Sequence, residues 1–274
     1  MSDAENRESS IFFRQLGEGY PLVLVHGLMV TGEMFEPVMA AFAERHRVVV
    51  PDLRGHGRSA RLLGPYAVDR LASDLAELLD SLGVESADVL GYSQGGAVAQ
   101  WFARDYPARV RALILACTYA YNMLTPRERL EGALLPWLIR LLGTERLANL
   151  LVRPGIGGGR PLTPEGAQWL KRIMARNDKR LMVEAARATF AFDSRGWLDR
   201  VSCPTLVIYG SEDTAVPPHH AEMLARGIRR AELRIVEGAG HALIWTHPKE
   251  LVEQTERWLS SLPGTSGTPR GDGV

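Results

Sequence analysis

The chain has 274 residues, 46% of them hydrophobic and 23% charged, which suits one large α/β domain or two small ones. Its 32 basic residues balance 32 acidic ones, so the sum shows no electrostatic footprint for nucleic acid or an anionic membrane. Two cysteines, Cys117 and Cys203, give no disulfide framework and no metal cage.

Residues Met1 to Glu8 are polar, without the apolar core of a secretory signal, and no apolar run reaches the roughly 18 residues of a membrane span. A cytoplasmic protein is expected. From there, short apolar runs alternate with longer amphipathic ones. Leu22 to Val25 is the first clear strand, and Glu33 to Arg45 follows with helical spacing. Arg47 to Val50 is a second strand, stopped by Pro51. Val68 to Leu82 carries Leu71, Leu75, Leu78, Leu79 and Leu82 on one helical face, ended by Gly83. Asp88 to Leu90 is a third strand, followed by a helix from Gly95 to Asp105, and Ala112 to Ala116 is a fourth. Cys117 and Cys203 lie in apolar runs and read as buried small hydrophobes.

Between Thr118 and Leu198 the alternation stops. Helical stretches at Leu130–Leu142, Glu145–Leu151, Glu165–Met174 and Leu181–Phe192 replace it, interrupted by a Gly- and Pro-rich loop from Pro154 to Pro161. Strands resume at Thr205–Tyr209 and Glu232–Val236, and a last helix runs from Pro248 to Leu259. This pattern predicts a mostly parallel, twisted sheet flanked by helices, with a helical cap inserted after the fourth clear strand. The core is expected over 9–117 and 199–262 and the cap over 118–198, with disordered tails at 1–8 and 263–274.

The run Gly91-Tyr92-Ser93-Gln94-Gly95 has the form Gly-x-Ser-x-Gly, which composition alone produces in roughly one chain in ten of this length. Its setting gives it weight: a strand precedes it and a helix follows, the strand–turn–helix of a nucleophile elbow. A serine hydroxyl at neutral pH needs a base, and the base needs an orienting acid. In strand–turn–helix hydrolases the chain order is serine, acid, histidine. His241, in Gly238-Ala239-Gly240-His241, follows a strand end. So does the acidic pair Glu212-Asp213 after Thr205–Tyr209. Carboxyl ends of parallel strands are where active sites of open α/β sheets collect. Among the other histidines, His46, His219 and His220 read as solvated in polar helical surroundings, His247 as part of a helix start, and His56 as preceding the serine. An oxyanion requires two backbone donors. The N–H of Gln94 is one; the turn Val25-His26-Gly27-Leu28-Met29 offers the other, from Leu28 or, failing it, Met29. His26 is expected to order this turn by hydrogen bonding.

Together Val25-His26-Gly27, Pro51 to Ser59, Gly91 to Gly96, Gly210 to Asp213 and Gly238 to His241 resemble the α/β-hydrolase superfamily, over about Ile11 to Leu262. The resemblance implies the triad Ser93, Asp213 and His241, selecting Asp213 over Glu212, with Leu28 and Gln94 as oxyanion donors. Polar residues of Asp52–Ser59 read as structural. Within the superfamily the chain is most similar to bacterial serine esterases and enol-lactone hydrolases with a helical cap. Ser93 stands where haloalkane dehalogenases and epoxide hydrolases carry Asp. The loop after Gly27 lacks the Gly- and Pro-rich extension of hydrolases that cleave carbon–carbon bonds. A first strand would have to come from Ser2 to Ser9, a poor strand former, so seven strands are expected as readily as eight.

The expected chemistry is acyl transfer: hydrolysis of a small, largely apolar ester or lactone through an acyl-enzyme on Ser93, with no metal or organic cofactor and no nucleic-acid or membrane partner. Carbon–carbon hydrolysis, acyl transfer to another alcohol and perhydrolysis are the catalytic alternatives, and a non-catalytic binding member of the fold is the other class. Met29, Tyr119, Tyr121, Trp137 and Trp169 are the candidate substrate-binding residues.

Overall fold

Strands of four to seven residues build the sheet in the computed structural model, which describes residues 11–152 and 157–263. The strands are β1 (Phe13–Leu16), β2 (Tyr20–Val25), β3 (His46–Pro51), β4 (Ala87–Tyr92), β5 (Val110–Ala116), β6 (Thr205–Gly210) and β7 (Ala231–Val236). The helices are α1 (Glu36–Ala43), α2 (Val68–Ser81), α3 (Gln94–Asp105), α4 (Pro126–Leu151), α5 (Pro164–Ala175), α6 (Lys179–Ala191), α7 (Pro218–Gly227), α8 (Leu243–Thr246) and α9 (Pro248–Ser261). Sheet order is β1-β3-β2-β4-β5-β6-β7, parallel throughout except for β1 against β3.

A parallel sheet is covered on both faces, which is why its strands read as continuous apolar runs. Along β2 the side chains alternate: Leu22 and Leu24 join one core layer, Val23 and Val25 the other. The first layer includes Val38, Met39 and Phe42 of α1 and Leu251 and Leu259 of α9. The second includes the leucine face of α2, Val98 and Phe102 of α3, and Leu224 of α7.

The edge strand of the seven-stranded sheet is one the sequence pattern did not mark. Ser2 to Ser9 lie outside the described residues, as do 264–274, while the antiparallel edge strand is Phe13–Leu16. Only Phe13 of its four residues is buried, too short a pattern for periodicity to reveal.

After β5, the fourth of the strands evident in the sequence, the chain makes the helical insertion α4–α6 before returning to β6. Helix α4 starts with a full capping box, Thr125 with Glu128, and Pro126 at its first position. Gly143, at φ 74° and ψ 169°, divides it where the two helical stretches separate in the sequence. Loop 51–59 is tied by its polar groups. Asp52 accepts from the backbone N–H of Gly32 at 2.8 Å and of Arg58 at 2.9 Å, and the Arg54 guanidinium forks onto Asp74 of α2 at 2.7 and 2.6 Å. No helix among the described residues is long and apolar enough to cross a membrane.

Candidate active site

Ser93 stands at the sharp turn from β4 into α3, with φ 54° and ψ −122°. Positive φ is costly for a residue with a Cβ and persists only where surroundings enforce it. Here the Ser93 N–H donates to Ala116 O at 3.0 Å and the Thr118 hydroxyl donates to Ser93 O at 2.6 Å. The glycines of the pentapeptide are required by contact. A Cβ on Gly95 would lie 2.1 Å from Val25 O, so only glycine lets the start of α3 approach β2.

The His241 ring bridges the serine and the acid. Its Nε2 is 3.2 Å from Ser93 Oγ and its Nδ1 is 2.9 Å from Asp213 Oδ2. Asp213 is buried, and its other oxygen accepts from the backbone N–H groups of Ala215 at 2.9 Å and Val216 at 2.8 Å, fixing the carboxylate. Burial pulls the His241 pKa down, but the charge and hydrogen bond of Asp213 outweigh it, leaving the pKa raised from the ordinary 6.5. With the carboxylate on Nδ1, the Nδ1–H tautomer is favoured and Nε2 faces the hydroxyl with a lone pair. Such a chain can take a proton from the serine as it attacks, then return it to a leaving group. Tyr92 steadies the histidine from behind, its hydroxyl donating to His241 O at 2.5 Å.

Gln94 is the first residue of α3, so its N–H has no acceptor within the helix and lies at the positive end of the helix dipole. Leu28 and Ser93 line one cavity of about 180 Å³, walled by Val30, Met34, Leu170, Met174, Ile244 and Trp245. His26 orders the loop beneath. Its Nε2 accepts from Leu53 N at 2.9 Å, so Nδ1 carries the proton and donates to Gly27 O at 2.8 Å. Complete burial pushes the His26 pKa down to about 4, keeping the ring neutral.

The alpha/beta hydrolase family model matches residues 22–254. The chain belongs to the alpha/beta hydrolase family. This α/β hydrolase is 30% identical to a poly(3-hydroxyalkanoate) depolymerase of Ectopseudomonas oleovorans, over 87% of its own length and 84% of that protein's. Among solved structures it resembles a thermophilic esterase of Thermogutta terrifontis, at TM-score 0.81 and 29% identity, covering 91% of this chain and 93% of that one. It also resembles an N-acyl homoserine lactone degrading enzyme, at TM-score 0.79 and 26% identity, covering 93% and 98%.

In this α/β hydrolase the five candidate substrate residues do not line the cavity. Tyr119 is buried in the core layer on the α2–α3 side of the sheet, beside Phe192. Tyr121 pairs in an isolated bridge with Asp193, and Arg195 covers its ring. Trp137 lies on the outer face of α4, 60% exposed. The Met29 side chain is buried in the core layer on the α1–α9 side. Trp169 stands one step back, its ring centroid 4.5 Å from that of Trp245, which does line the cavity. Helical spacing identifies a packed face but not what it packs on, which is why the wall falls to other residues.

Two further residues of the insertion reach the site. Asn177 is buried, donates from Nδ2 to Met29 O at 2.8 Å and accepts from Gly57 N at 3.0 Å, clamping the turn at Gly27–Met29 to loop 51–59. Gly157 O accepts from His241 N and from Thr214 N, both at 2.9 Å, strapping the histidine loop to the acid loop. Composition marks 154–161 as a loop but gives no sign of this contact; residues 154–156 lie outside the described residues. Two expectations of solvated histidines also fail. His46 is buried and 2.8 Å from Glu256 of α9. His220 is fully buried at the start of α7, and burial, aided by the adjacent His219, lowers its pKa to about 4.

Proposed function

We propose that the chain is a serine hydrolase that cleaves small carboxylic esters or lactones through an acyl-enzyme on Ser93. The observation that carries this reading is the continuous chain Ser93 Oγ–His241 Nε2 at 3.2 Å and His241 Nδ1–Asp213 Oδ2 at 2.9 Å, opening on a small apolar cavity. Ser93 attacks the carbonyl carbon as His241 takes its proton. The tetrahedral oxyanion is held by the N–H groups of Leu28 and Gln94. The intermediate collapses as His241 protonates the leaving alcohol. Water then gives its proton to the same ring, attacks the acyl-enzyme and releases the acid, with Ser93 reprotonated.

The relatives support ester or lactone bonds: a depolymerase of a polyester, an esterase and a lactone-degrading enzyme are among the proteins it resembles. The cavity's volume of about 180 Å³ supports a short acyl group, below the several hundred Å³ typical of drug-sized sites. Leu170 and Met174 of α5 line the cavity with Ser93, which supports the reading of 118–198 as a cap.

The test is turnover of short-chain p-nitrophenyl esters, aliphatic lactones and a vinylogous diketone, with fluorophosphonate labelling of Ser93. Esters or lactones should turn over, and labelling should disappear in Ser93→Ala. Turnover of the diketone alone would move the reaction to carbon–carbon bonds, and absence of labelling would make the fold a binding protein.

A further inference from the structure

The capping glutamate of α4 and the two histidines at the start of α7 converge on one point. Glu128 is half used by its own helix. Its Oε2 accepts from Leu124 N at 2.7 Å and Thr125 N at 3.0 Å, whereas Oε1 has no hydrogen bond. His219 Nε2 lies 3.0 Å and His220 Nε2 3.3 Å from that same Oε1. These contacts are close but not aligned as hydrogen bonds, and all three atoms are sealed from solvent without a partner. His220 is fully buried and lacks a partner at either ring nitrogen, and Glu128 is only 4% exposed.

Buried polar atoms are nearly always paired, so an unpartnered trio calls for an occupant. The two separations to Oε1 suit a metal ion. Ligand atoms about 2.0–2.1 Å from a tetrahedral zinc ion lie about 3.3 Å from one another. The three donor atoms here are 3.0 and 3.3 Å apart where measured to Oε1, and all lie within 4.8 Å of one another. Two imidazoles and one carboxylate form a donor set of intermediate softness, suited to zinc rather than to magnesium or calcium, which prefer all-oxygen shells. His219 also borders a surface hollow of about 580 Å³ with Glu222 and Arg226.

We propose that Glu128, His219 and His220 form a three-ligand site for a zinc-class divalent cation, with water as fourth ligand. The site shares no residue with Ser93, His241 and Asp213 and is independent of the hydrolytic reading. Its place in the fold gives it a structural role. Glu128 belongs to the first helix of the insertion and the histidines to the helix that follows the Asp213 loop, so the ion fastens the insertion to the sheet domain.

The full chain, stripped with a chelator and dialysed, is titrated with zinc by calorimetry and with cobalt by visible absorption. One zinc per chain is expected, with a tetrahedral cobalt spectrum and a rise in Tm on zinc addition. His220→Ala and Glu128→Gln should each weaken zinc at least tenfold and remove the Tm rise; glutamine retains the capping-box acceptor, so α4 still starts at Pro126. Half-exposed His219→Ala should do the same and serves as the variant least able to perturb folding. No saturable zinc binding, or binding unchanged in His219→Ala, overturns the site.

Discussion

Asp213 acts on His241 in a way that a titration can read. The carboxylate raises the imidazole pKa against the downward pull of burial, so removing the charge leaves only the downward pull. In the proposed mechanism neutral His241 is the base, so kcat/KM rises with pH through the histidine pKa. Asp213→Asn should move that midpoint to lower pH while cutting kcat by about 10³–10⁴-fold, as loss of an orienting acid does in other serine triads. A pH–rate profile on a p-nitrophenyl ester checks both; a midpoint that stays or rises would show that Asp213 does not set the base. Asn177 makes a second residue-scale case. Met29, next to the proposed oxyanion donor Leu28, holds φ 62°, and the Asn177 amide fixes its carbonyl. Asn177→Ala should lower kcat roughly tenfold, about 1.4 kcal/mol in the barrier, with little change in KM, because the donor loosens but the cavity wall stays. A fall confined to KM would assign Asn177 to substrate binding instead.

At the scale of elements, the site depends on segments joined across the sheet end. Ser93 comes with β4 and α3, Asp213 with the loop after β6, His241 with the loop after β7, and the strap at Gly157 from the insertion. Gly158 shows how tight that strap is. It sits at φ 80°, and a Cβ there would fall 1.8 Å from Glu212 O, so no side chain fits without moving the backbone. Gly158→Ala should pull Gly157 O away from His241 N and Thr214 N, lowering kcat/KM by about tenfold or more and widening the pH dependence. Steady-state kinetics beside circular dichroism separate this from global unfolding: wild-type rates in the folded variant would show that the strap has no part in holding the base.

Across the whole molecule, neutral histidines make the fold sensitive to acid. Burial lowers His26 to about 4 and His56 to about 3. These folded values lie below the unfolded 6.5, so the unfolded chain binds more protons as pH falls. Their stabilising contribution is full above about pH 6.5 and is lost progressively toward pH 4, by up to about 1.4 kcal/mol per pH unit for each histidine. Urea unfolding at steps from pH 7 to pH 4 should show stability falling through this window, and a flat profile would contradict the buried neutral state. His26→Gln should make the slope shallower, since one titrating group is gone.

The sequence by itself determined the six clear strands, their order along the chain and the point of the insertion, because hydrophobic periodicity is local and each of those runs is long enough to show it. Ser93, His241 and the pair Glu212-Asp213 were legible for a related reason, since each follows a strand and parallel strands deliver their following loops to one edge; the resemblance selected Asp213 from the pair. Tertiary structure decided what those signals do not carry. The edge strand Phe13–Leu16 buries one side chain and leaves almost no pattern. The cavity wall passed from Tyr119 and Trp137 to Leu170, Met174 and Trp245, because helical spacing marks a face without naming its neighbour. Asn177, Gly157 and the meeting of Glu128 with His219 and His220 depend on contacts between residues about 60 to 150 positions apart. Such contacts are set by how the insertion settles on the strand ends, a matter of packing between surfaces that no local window of the chain contains.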